Sequence, residues 1–76
     1  MFTYNISKNA DNAEFNRVCS LIESNTKDAK KEDLLTDVDG TQIQIYDTKD
    51  GKIKVFNDYE VGAVYVDSEA DLSAIL

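Results

Sequence analysis

Carboxylates crowd the stretch KEDLLTDVDGTQIQIYDTKDG, residues 31–51, where Glu32, Asp33, Asp37, Asp39, Asp47 and Asp50 lie around two Asp-Gly steps. Such a set could hold a hard cation, imitate a row of phosphates, or only close turns. The calcium reading fails on spacing. An EF-hand loop needs oxygen ligands at positions 1, 3 and 5, Gly at 6 and a bidentate Glu at 12. With Gly40 in the glycine place the loop would begin at Leu35; with Gly51 there it would begin at Tyr46 and end at Asn57. Asp39 and Asp50 each stand directly before Gly, a position that turn chemistry gives to Asp.

Other reactive centres lack parts. The chain has no His and one Cys, so the nitrogen and sulfur ligand sets of zinc and iron–sulfur sites cannot be assembled within it. Cys19 has no His to activate it and lies on an apolar helical stripe, which predicts a buried structural thiol. No G-x-x-x-x-G-K loop is present for phosphate. Nothing singles out a carboxylate pair for acid–base work. The expectation is no catalytic residue, no metal, no cofactor and no enzyme.

The elements that would position these residues follow from periodicity. FTYNI alternates Phe2, Tyr4 and Ile6 with Thr3 and Asn5, a half-buried strand. In DNAEFNRVCSLIES, Asp11 and Glu14 have capping-box spacing, and Phe15, Val18, Cys19 and Ile22 form one stripe of an amphipathic helix. TKDAKKED reads as a loop or a further helical turn or two. The rest reads as a meander. Asp39-Gly40 predicts a two-residue hairpin that sets Leu34 opposite Ile45. Lys49-Asp50-Gly51 predicts a three-residue one that sets Ile45 opposite Val55 and Tyr46 opposite Lys54. Residues 57–60 turn, VGAVYVD is a strand, and SEADLSAIL a short terminal helix capped by Ser68 or Asp71. The expected fold is α+β, in β-α-β-β-β-β-α order: one antiparallel sheet of four to five strands on a long N-terminal helix, with a short C-terminal helix. All 76 residues would form a single domain.

Charge is uneven. Residues 1–31 carry five Lys or Arg against four acids, while residues 32–76 carry three Lys against eleven acids, for a net −7 overall. Such asymmetry points to a charged partner. DNA and RNA repel an acidic chain, so no direct nucleic-acid binding is expected despite Lys49, Lys52 and Lys54. A basic protein is the complementary partner, and basic surfaces belong largely to proteins that handle nucleic acids. On an extended strand, Asp37/Asp39 and Asp58/Glu60 would stand at the ~6.5–7 Å i, i+2 spacing and mimic phosphates. The alternative is a solvated surface whose acidity serves only solubility.

In size, acidity and lack of catalytic motifs the chain is similar in kind to small inhibitors of phages and mobile elements, among them anti-CRISPR, anti-restriction, immunity and antitoxin proteins. The expected partner-binding residues are Asp37, Asp39, Asp58, Glu60, Asp67, Glu69 and Asp71 for charge, with Tyr46, Phe56 and Tyr59 for contact area on a sheet face that one helix leaves uncovered. A structural or regulatory adaptor, as a homodimer, is the rival reading. The lone Cys fits a reducing cytoplasm, and neither a signal peptide nor a membrane span is legible.

Overall fold

A computed structural model describes residues 1–76. The chain runs β1 (Phe2–Ser7), α1 (Asn12–Asn25), β2 (Lys30–Lys31), β3 (Leu35–Thr36), β4 (Gln42–Thr48), β5 (Gly51–Asp58) and β6 (Ala63–Ser68). The strands form one antiparallel sheet in the order β1-β6-β5-β4-β2, with β3 also pairing β4. The helix crosses one face of this sheet, so the other face has no covering layer of secondary structure.

Local chemistry explains the helix. Asp11 is its N-cap, in extended conformation, and its carboxylate accepts the Glu14 N–H. Phe15, Val18, Cys19 and Ile22 are buried against Tyr46, Ile53, Val55 and Val66 of the sheet. Full burial of each aliphatic or aromatic side chain contributes roughly 1.5–3 kcal/mol, which makes this stripe the main source of stability. Buried polar groups at the helix start are matched. Asn57 Oδ1 accepts the Asp11 N–H at 3.0 Å, and its amide donates to Asn12 Oδ1 and Gln42 Oε1. Gln44 donates to the Glu32 carbonyl at 2.6 Å. No helix is long and apolar enough to cross a membrane.

The expected architecture needs three corrections. There are six strands, because residues 26–33 contain neither plain loop nor extra helix but the edge strand β2, and β3 follows it on the same side of β4. The C-terminal helix is absent. The Tyr4 hydroxyl accepts the Leu72 N–H at 2.7 Å and donates to Asp71, which docks Leu72 into the core. Only a single turn, closed by Ile75 and Leu76 N–H groups on the Leu72 carbonyl, follows. A segment that short has no independent helical stability, so tertiary docking decides its shape.

The third correction concerns register. Both hairpins on β4 are displaced by one residue from expectation. The β3–β4 connection spans residues 37–41, and the Asp37 N–H on the Thr41 carbonyl closes it around three residues rather than two, with Leu35 opposite Ile43 and Gly40 at φ +91°. The β4–β5 loop has two residues rather than three, with Thr48 opposite Gly51, Tyr46 opposite Ile53 and Ile45 opposite Lys54. Thr48 closes it: its hydroxyl accepts the Asp50 N–H and donates to the Gly51 carbonyl. A one-residue slip turns every side chain to the other face. Tyr46 and Gln44 therefore face the helix, and Ile43 and Ile45 face away.

Candidate protein-interaction surface

The uncovered face follows from that register. Cross-strand pairing places Leu35 beside Ile43, Ile43 beside Phe56, and Phe56 beside Tyr65, so an apolar row runs across four strands and ends at Asn5 of β1. Ile43, Phe56 and Tyr65 are half-buried and Leu35 is exposed. The Phe56 and Tyr65 rings stack with centroids 4.6 Å apart and planes 12° from parallel. Stacking of this kind adds about 0.5–1.5 kcal/mol beyond area burial and holds both rings in place.

Charged residues border the row. On one side Ile45, Lys54, Asp67 and Thr3 are aligned across the sheet, and Lys52, Asp47 and Lys30 lie beyond them. Lys52 bridges Asp47 at 3.2 Å and Glu32 at 3.4 Å. On the other side stand Asp58 and the turn end of the sheet. The 37–41 and 59–62 turns touch there: Tyr59 N–H donates to Thr41 Oγ1 at 3.0 Å, and the Tyr59 ring packs over Gly40.

This turn end brings together five of the expected partner-binding residues: Asp37, Asp39, Asp58, Tyr59 and Glu60. None of its four carboxylates takes part in a salt bridge. Three of them serve the turns. Asp37 accepts the Val38 N–H, Asp39 the Thr41 N–H, and Asp58 the Glu60 and Val61 N–H groups on one oxygen and the Tyr65 hydroxyl on the other. The Thr41 bonds hold the Asp39 carboxyl below the usual carboxylate range. Burial, then the Asp58 bond, raises the Tyr65 phenol. Because both pairs straddle turns, the extended-strand spacing expected for Asp37/Asp39 and Asp58/Glu60 does not apply.

The other expected residues lie elsewhere. Phe56 is at the centre of the uncovered face. Asp67 is on the same face, opposite Lys54, and accepts the Thr3 hydroxyl at 2.9 Å. Glu69 and Asp71 are at the far end of the sheet. Glu69 accepts the Lys52 N–H at 2.8 Å. Asp71 accepts from Ser73 N–H and Tyr4, and these bonds lower its pKa. The expected acids thus divide among the turn end, the uncovered face and the far end of the sheet instead of forming one field.

Tyr46 is a correction. It is fully buried beneath the helix, where its hydroxyl donates to Glu23 Oε2 at 2.6 Å. Burial, with this bond second, pushes its phenol far above the ordinary range, while the same bond lowers Glu23. Tyr65, Ile43 and Ile45 were missed as surface residues. The readable signal for Tyr65 was its place in VYV, between two valines of one face and in reach of Phe56 across β5–β6. No group of three or more acidic or thiol side chains is placed to hold a metal ion.

These features define a class: a one-helix, antiparallel-sheet protein with an apolar row on an uncovered face and an acidic turn end beside it. In comparison with known proteins, no family model, curated protein or solved structure matches the chain.

Proposed function

We propose that this chain is a non-enzymatic binding protein of the cytoplasm that docks on a basic, nucleic-acid-handling protein and inhibits it by occupying the surface that takes nucleic acid. One observation carries the reading: an apolar row containing a rigid Phe56–Tyr65 stack adjoins four carboxylates that no Lys or Arg neutralises. Aromatic anchors with a charged border are typical interface composition. In this division of labour the rings and Ile43 supply the affinity through water exclusion. Asp37, Asp39, Asp58 and Glu60 speed encounter with a basic surface and disfavour neutral partners.

The test is capture from a cell lysate at low salt on the immobilised chain, followed by elution with duplex DNA or with high salt. The expected result is a basic protein released by both eluents, whose association rate falls steeply as salt rises. Retention that neither salt nor nucleic acid disturbs would contradict the reading.

A further inference from the structure

The two edges of the sheet are built differently. One edge is β2 and β3, two residues each, interrupted at Glu32–Leu34 and carrying Lys30 and Lys31. Short, broken, lysine-bearing edges resist pairing with another chain. The other edge is β1, six residues long, with no charge and no Pro between Phe2 and Ser7. It pairs only with β6, so alternate residues turn their N–H and C=O groups out of the sheet.

We propose that the outer edge of β1 is a self-association surface, where a second copy of this chain adds its own β1 antiparallel to make one continuous sheet. Three observations select a second copy. First, the chain is at net −7, yet β1 itself carries no charged side chain, and the acid beside it on the helix side, Asp71, is held by the Tyr4 hydroxyl. The nearest acid on the uncovered face, Asp67, is held by Thr3. The two Asp67 side chains would lie three strand spacings apart, about 14 Å, beyond the ~8 Å screening length of physiological salt.

Second, keeping both helices on one side requires a residue to face its own counterpart at the two-fold axis. Irregular pairing between Asn5 and Ser7 leaves Phe2–Asn5 as the regular part of β1. Centring the axis on Thr3 uses only that part. Third, this register sets Phe2 opposite Tyr4 of the second copy, twice. Phe2 is 42% exposed, and two aromatic cross-strand pairs would cover it. The contact is small, so the dimer is concentration-dependent.

Sedimentation equilibrium on the full chain, from about 5 μM to about 1 mM, tests the proposal. The expected mass rises from that of the 8.5 kDa monomer to twice it. Thr3→Lys, which sets two cations face to face at the axis, and Phe2→Asp, at an exposed position, should each raise the dissociation constant at least ~10-fold. Far-UV circular dichroism and thermal unfolding identify a variant that has kept its fold, and either one suffices. A monomer at every concentration overturns the proposal. So does a dimer indifferent to folded β1 variants, or one that dissolves instead on Phe56→Asp of the uncovered face.

Discussion

Neighbouring residues of β5 have opposite fates. Ile53, Val55 and Asn57 face α1 and are sealed, while Lys52, Lys54, Phe56 and Asp58 face away, where only side chains of the same sheet surround them. The covered face draws its stability from packing. Even its polar members are satisfied internally, since no buried side-chain nitrogen or oxygen lacks a partner. The uncovered face has Phe56 and Tyr65 stacked on each other without a lid. A side chain that folding does not seal is available for recognition, so the two faces should separate stability from binding.

Substitutions sharpen that separation. Tyr46→Ala removes a fully buried ring and should cost about 4 kcal/mol, most of the margin of a chain this size. Urea unfolding measures it, and a cost below about 1 kcal/mol would break the distinction between the faces. Asn57→Ala should cost about 2 kcal/mol, because the Asp11 N–H loses its acceptor and Asn12 Oδ1 and Gln42 Oε1 each lose a donor.

Tyr46→Phe should cost about 1 kcal/mol near neutral pH by deleting the bond to Glu23. That difference depends on pH. Glu23 titrates below its ordinary value when folded, so its contribution is complete above the unfolded pKa of ~4.3 and is lost as pH falls through the folded value. The gap between wild type and Tyr46→Phe should therefore close in acid. At the other extreme Tyr46 is raised above the ordinary ~10. Wild type should accordingly lose stability as pH climbs past that value, and Tyr46→Phe should lose less. Unfolding midpoints across the pH range check both signs.

On the uncovered face the stability effects are smaller. Phe56→Ala should cost about 2 kcal/mol of folding, the sum of its stack and its half-buried area and roughly half the cost of Tyr46→Ala. Glu60→Gln should change folding by less than ~0.5 kcal/mol yet lower the partner's association rate and its salt dependence.

How much of this was legible depends on the kind of signal. The α1 stripe and its Asp11 cap repeat at helical spacing, and local chemistry suffices to place them. The same holds for the alternation of β1. Gly40 and Gly51 both mark turns, and both adopt positive φ. Loop length was not legible from the glycines alone. At Lys49-Asp50 the deciding group is Thr48, whose hydroxyl ties both sides of a two-residue loop. The alternation of QIQIYDT also misleads, since it invites Ile43 and Ile45 inward. The structure instead buries Gln44, because the Glu32 carbonyl is there to receive its amide. Two expected registers agreed with each other because each was displaced by one residue on the shared strand, so consistency between turns did not certify either. The acidic site was half legible: which acids stand beside the apolar row can be read only when strand order separates the Asp37–Glu60 end from the end that holds Glu69 and Asp71.

The central claim is that the uncovered face, and not the charge alone, makes the contact. Its most direct test uses two baits in the same low-salt lysate, the wild-type chain and Phe56→Ala, with matched thermal unfolding to establish that both are folded. The account predicts that the basic protein held by wild type dissociates at least ~10-fold faster from Phe56→Ala. Equal dissociation rates from the two baits would contradict it.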